Sequence, residues 1–180
     1  MSLSEQLKDG TAAAHAAAES VLFVKNFIQG NIPLDLYKRL LAGLFHAYTA
    51  MERRLAEEAA ADEGGIVDQV HFPVELNRVN SLAADLEHWL GAGWRDAPEL
   101  EMSQCTREYV RRLEKATPAG LVAHAYTRYM GDLSGGQILV RFSTGWAAGR
   151  TCPLQKQLQT AAIALAGLVS PAGLCTAVAR

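Results

Sequence analysis

Two short stretches of the chain carry residue types that could do chemistry. The first, Tyr126 to Gln137, holds three glycines within six residues and sets Asp132 and Ser134 beside them. Each glycine inside a helix costs about 0.5–1 kcal/mol relative to alanine, so a helix keeps several only where a bare backbone is needed. Polar groups beside a bare backbone are typical of a pocket wall. The alternatives are a close crossing of two helices, or a loop between two shorter ones.

The second stretch places one histidine, His15, in an alanine-rich segment with Glu19 one helical turn further on. The alanines leave the imidazole uncrowded, and a carboxylate at i+4 can reach its second ring nitrogen. Glu19 is the sole candidate for a further metal ligand nearby. A single histidine ligand is most naturally the axial ligand of a haem, because the porphyrin supplies the other four donors to the iron. The alternative is a surface histidine with an incidental partner.

The elements that must position these stretches are predicted to be helices throughout, because helical signals recur and no alternating strand of useful length appears. Asp35 is expected to cap a long helix, and Val74 to Trp89 is predicted to be one amphipathic helix. The long helix carries an apolar stripe with alternating spacings of four and three: Tyr37, Leu41, Leu44, Tyr48, Met51 and Leu55. The sequence therefore predicts an all-α bundle.

Composition limits the class of protein. The chain has 180 residues, of which 49% are hydrophobic and 20% charged, with a formal net charge of −2. These values indicate one globular domain and give no general attraction to nucleic acid. Three widely spaced cysteines argue against a disulfide framework or a zinc site. Thr160 to Ala179 contains no charge, but its alanines, glycines and Pro171 favour a tail over a membrane anchor. No signal peptide is expected at the N-terminus, and the expected location is the cytoplasm.

One predicted helix is basic. Arg107, Arg111, Arg112 and Lys115 lie on neighbouring turns. This face could dock an acidic partner protein by charge complementarity, or it could simply be a solvated helix surface.

Several segments of the sequence resemble those of a known protein family. With His124 and Ala125 before it, the stretch from Tyr126 to Gln137 resembles the signature of the haem oxygenases, and residues 7–19 resemble their proximal helix. Other segments that resemble the family are Phe45-His46-Ala47-Tyr48, Met51-Glu52, Phe72-Pro73, Glu75-Leu76 and Arg78. The resemblance covers about residues 4–142. We therefore expect a haem oxygenase-like helical domain over residues 1–143 and a divergent or truncated tail over residues 144–180.

The resemblance implies a single-domain bundle that holds haem between the N-terminal helix and a glycine-kinked helix. It also implies an enzyme that uses O2 and an external electron donor, a ferredoxin or a flavoprotein reductase, to cleave haem to biliverdin, CO and Fe2+. Haem would be both substrate and cofactor, and the protein a monomer. The alternative is a haem-binding or haem-sensing protein without turnover, because the C-terminal helices of the family are lost.

The resemblance further implies a role for each of ten residues. His15 would be the axial ligand of the haem iron, and Asp132 would hold a distal water network with Tyr48 and Arg128 positioning it. The residues implied in catalysis are Asp132, Gly131, Gly135, Arg128 and Tyr48, and those implied in haem binding are His15, Lys8, Glu19, Tyr126 and Ser134.

Overall fold

The computed structural model describes residues 3–28 and 33–143. Over these ranges the chain is helical with connecting turns and has no strand, which confirms the predicted all-α class. Short 3₁₀ turns occupy Asp68–Val70, Trp94–Asp96 and Pro98–Leu100. The α-helices of the described ranges are α1 (Leu3–Ser20), α2 (Leu22–Ile28), α3 (Leu34–Ala61), α4 (Pro73–Leu76), α5 (Val79–Leu90), α6 (Gln104–Glu114) and α7 (Pro118–Ser143).

Helix α3 is the centre of the bundle and packs against α5, α6 and α7. The predicted stripe is confirmed, because Leu41, Tyr48, Met51 and Leu55 are at most 3% exposed. Burying each large apolar side chain contributes about 1.5–3 kcal/mol, and this burial holds the long helix in the middle of the fold.

The predicted N-cap of α3 is wrong. The helix begins at Leu34 after Pro33, whose extended backbone (φ −59°, ψ 140°) occupies the cap position without a side-chain hydrogen bond. Asp35 lies inside the first turn instead. A proline holds its φ near −65°, so it sets the start of the helix by conformation alone.

The single helix predicted over Val74 to Trp89 is also wrong, because the chain breaks into α4 and α5 at Asn77 and Arg78. The break is made by Glu52 on α3. Its carboxylate accepts the Arg78 amide at 2.6 Å and the Val79 amide at 3.4 Å. A charged acceptor makes a stronger hydrogen bond than a neutral carbonyl, so the carboxylate caps α5 and the helix starts afresh.

Glu52 is itself buried, with 6% of its surface exposed. Burial raises the pKa of its carboxyl, while the two amides, the charge of Arg78 and a hydrogen bond with Tyr129 on α7 act in the opposite direction. One carboxylate therefore joins α3, the start of α5 and α7.

We predict that Glu52→Ala destabilises the fold by about 2–4 kcal/mol, because buried amides of Arg78 and Val79 lose their acceptor. Urea unfolding followed by far-ultraviolet circular dichroism measures the loss. Glu57→Ala is the control, since Glu57 pairs with Arg53 on the surface and exposed pairs contribute little. Equal losses in the two variants would contradict the role of Glu52.

A second prediction concerns pH. Because the pKa of Glu52 is higher in the folded chain than its ordinary value of 4.5, the carboxyl stays protonated in the folded protein at pH values just above 4.5, where it has lost its proton in the unfolded chain. Stability from this group is therefore complete below pH 4.5 and is lost as the pH rises through the raised value. The free energy of unfolding of the wild type minus that of Glu52→Gln should fall with increasing pH over this window. A difference that rises with pH would show that the hydrogen bonds outweigh burial.

Candidate functional site

Helix α1 carries His15 on an open surface. Its described side chains are all exposed, and that of His15 is 74% exposed. The Nδ1 atom of the imidazole lies 3.5 Å from Oε1 of Glu19, so the predicted contact one turn apart is present. An exposed pair of this kind contributes little stability. The contact puts the carboxylate on the Nδ1 side of the ring and leaves Nε2 available as a ligand.

Helix α7 runs unbroken through its glycines, which excludes a loop between two shorter helices. One side of it packs into the core through Leu121, Ala125 and Tyr129. The opposite side is exposed and mostly apolar, with Tyr126 60% and Met130 38% exposed.

Gly131 leaves open space on that exposed side. A Cβ atom added at Gly131 would meet nothing within 4 Å. The hydroxyl of Thr127, on the same side, donates to the Ala123 carbonyl of its own helix at 2.8 Å. The exposed side of α7 therefore has open space at Gly131 next to apolar side chains, an arrangement that leaves room for a ligand.

The two helices are joined by α2, which contacts both α1 and α7. Large apolar side chains are exposed where α1 meets α2, with Val21 51% and Leu22 71% exposed. Isolated exposed apolar residues are ordinary. Here they lie next to the helix that carries His15.

Tyr48 and Arg128 form a contact between α3 and α7. Tyr48 is 1% exposed, its ring centre lies 5.7 Å from that of Tyr129, and the Arg128 guanidinium carbon lies 5.4 Å from the Tyr48 ring centre. This cation–π contact holds Arg128 one helical turn before position 132. The structure thus brings two of the predicted site residues together.

The remaining predicted site residues are placed by their backbone alone. Residue 8 lies in α1 and residues 132, 134 and 135 lie in α7. The side chains of Lys8, Asp132 and Ser134, and the surroundings of Gly135, lie outside the described part of the structure.

Sequence reasoning assigned no role to Glu52, which fixes Tyr129 and thereby α7. A signal was available, since Glu52 stands four residues after Tyr48, within the apolar stripe of α3. A carboxylate on the buried face of a helix needs partners there.

The described side chains offer no group of three or more histidine, cysteine, aspartate or glutamate residues that could hold a metal ion. Among the helices of residues 3–28 and 33–143, none has the length and apolarity to span a bilayer.

Comparisons with known proteins identify the family to which the chain belongs. The family model described as "Heme oxygenase" matches residues 1–165. The chain belongs to the haem oxygenase family. The match continues beyond Ser143, the last residue of α7.

Curated relatives include the heme oxygenase of Guillardia theta, 43% identical over 144 residues, which cover 78% of this chain and 58% of that protein. Heme oxygenase 1 of Bos taurus is 40% identical over 144 residues, 78% of this chain and 48% of the relative. The chain thus spans about half the length of these relatives.

Solved haem oxygenases share the fold. Heme oxygenase-1 of Synechocystis, in complex with heme, has a TM-score of 0.75 and 34% identity, over 89% of this chain and 78% of that one. The enzyme of Leptospira interrogans has a TM-score of 0.73 and 30% identity, over 99% of this chain and 92% of that one.

We predict that Gly131→Ala stabilises the ligand-free fold by about 0.5–1 kcal/mol, because alanine is the better helix former and the new methyl group meets open space. Thermal unfolding measures the change. Gly43→Ala is the comparison variant. A Cβ atom at Gly43 would lie 3.4 Å from the Thr106 hydroxyl oxygen, whereas one at Gly131 would meet open space. Destabilisation by Gly131→Ala would contradict an open surface at this point.

Proposed function

We propose that the protein is a haem oxygenase, which uses O2 and reducing equivalents to cleave haem to biliverdin, CO and Fe2+. Two observations support the proposal: α1 carries an exposed histidine in contact with Glu19, and α7 has open space at Gly131. Membership of the family supports it. Haem would be both the substrate and the source of the iron and O2 chemistry.

The described residues fit a bound haem. A planar macrocycle needs an imidazole on one face and open space on the other. His15 would supply the first through Nε2, since Glu19 lies on the Nδ1 side of the ring. The side of α7 at Gly131 would supply the second, and Gly135, four residues on, would extend it by one turn.

Three residues on or against α7 would control protons. Asp132 would hold the water that delivers a proton on the open side of the haem, since the polarity of that pocket decides what becomes of O2. Arg128 would position Asp132, and Tyr48 would hold Arg128 through the contact observed between their side chains. Ser134 would line the same wall.

The haem propionates would be bound at the edge of the site by Lys8 and Tyr126. Tyr126 is 60% exposed, so its hydroxyl is accessible to a carboxylate.

Electrons would come from a separate protein, a ferredoxin or a flavoprotein reductase, because the sequence carries no flavin or iron–sulfur motif. We further propose a monomer that acts in the cytoplasm.

Two steps test the function. Adding hemin and following the Soret band measures binding, which a bundle without a haem site would not show. Supplying a reductant and O2, then measuring biliverdin and ferrous iron, separates an oxygenase from a protein that binds haem without turnover. We expect both signals. Binding without biliverdin would overturn the enzymatic proposal and leave haem binding or sensing.

We predict that His15→Ala abolishes biliverdin production and shifts the Soret band, because the iron loses its protein ligand. The matched control is His88→Ala, another exposed histidine. Circular dichroism of both variants should be unchanged. Added imidazole should restore the absorption spectrum of six-coordinate haem in His15→Ala. Normal biliverdin production by that variant would refute the ligand assignment.

We predict that Asp132→Ala keeps hemin binding but lowers the biliverdin yield by at least tenfold and increases peroxidase-type oxidation of guaiacol, because proton delivery is no longer controlled. Asp132→Asn separates charge from hydrogen bonding. A normal yield in both variants would count against the role of Asp132.

A further inference from the structure

A cleft of about 490 Å³ opens where the C-terminal half of α6 meets the first turns of α7. Its volume lies in the range typical of small-molecule sites. The walls carry Arg111 and Arg112 of α6 with Lys115 just after it, and Thr117, Gly120 and His124 at the start of α7.

The cations of this cleft are not neutralised by the acids of their own helix. Glu114 pairs with Arg53 of α3 at 2.5 Å, and Glu108, which also lines the cleft, accepts a hydrogen bond from Gln104 at 2.9 Å. Within the described ranges, no carboxylate lies within ion-pair distance of Arg111, Arg112 or Lys115. The cleft therefore concentrates positive charge that the fold itself does not use.

His124 adds a fixed polar group. Its Nδ1 atom lies 3.3 Å from the Tyr109 hydroxyl, and the two rings meet edge to face with centres 5.4 Å apart. Burial raises the pKa of Tyr109, which keeps its hydroxyl protonated and able to donate. Burial and the charge of Arg112 lower the pKa of His124, so the ring is neutral at pH 7. With Tyr109 as donor to Nδ1, the Nε2–H of the imidazole is left as a donor.

We propose that this cleft binds a small, multiply charged phosphate anion between Arg111, Arg112 and Lys115, with His124 as a neutral hydrogen-bond donor. Guanidinium groups match phosphate oxygens in geometry as well as charge. The site includes His124, which lies seven residues before Gly131 and therefore on the same side of α7; the proposal does not depend on haem turnover.

The same cations could instead serve the dipole of α6 or an acidic partner protein, and each of these roles leaves a different signature. Cations near the C-terminus of a helix stabilise its dipole, but that effect involves neither His124 nor a cleft. An acidic partner protein would cover a wider area and would use the whole basic face of α6, including Arg107.

The test is calorimetric titration of the full chain with inorganic triphosphate, with sulfate at equal ionic strength as the reference anion. We expect one site per chain, with triphosphate bound at least tenfold more tightly than sulfate. The double variant Arg111→Gln/Arg112→Gln should weaken binding at least tenfold, and Lys115→Gln severalfold. His124→Ala should also weaken it severalfold although it changes no charge at pH 7.

Arg107→Gln is the matched control, because Arg107 lies one turn earlier on α6, outside the walls of the cleft, and donates to the Met102 carbonyl. It should change the affinity by less than twofold. Circular dichroism shows whether each variant is folded. If the double arginine variant is not folded, Arg112→Lys replaces it, because lysine keeps the positive charge but lacks the planar guanidinium group.

The proposal would be overturned by no saturable binding of triphosphate, by equal weakening in Arg107→Gln and in the double variant Arg111→Gln/Arg112→Gln, or by an unchanged affinity in folded His124→Ala. Binding of an acidic ferredoxin through the whole face, undisturbed by saturating triphosphate, would also overturn it in favour of a protein-docking surface.

Discussion

The structure depends on helix α7, which has one side packed in the core and the opposite side exposed. Helix α7 must bury Leu121, Ala125 and Tyr129 firmly enough to be held in place, while its other side stays open at Gly131. Glycines weaken a helix, so the stability of α7 has to come from its packed side. The core around α3 meets this requirement.

Glu52 shows how the packed side is fixed. A buried carboxylate is costly unless it is well hydrogen-bonded, and here it bonds amides at the start of α5 and the hydroxyl of Tyr129. Losing any of these partners would leave charge or amides unsatisfied. The register of α7 against α3 is therefore set by a polar contact, in addition to the apolar contacts, which tolerate small shifts more readily.

The sequence predicted those features that depend on local spacing. The stripe of α3 and the contact between His15 and Glu19 both follow from helical periodicity, because residues three or four apart share a face. The break between α4 and α5 could not be predicted in this way, since it is caused by Glu52, 26 residues before Arg78. The wrong cap at Asp35 has a local cause, because a proline can start a helix without a side-chain cap. The roles of Lys8, Asp132 and Ser134 remain predictions.

We propose that one haem contacts both α1 and α7. Nuclear magnetic resonance of the 15N-labelled chain with one equivalent of hemin tests this contact, since the paramagnetic iron broadens the amide signals nearest to it. We expect the signals around His15 and around Gly131 to be broadened together, while those of α6 stay sharp. Broadening on only one of the two helices, or strongest at α6, would contradict it.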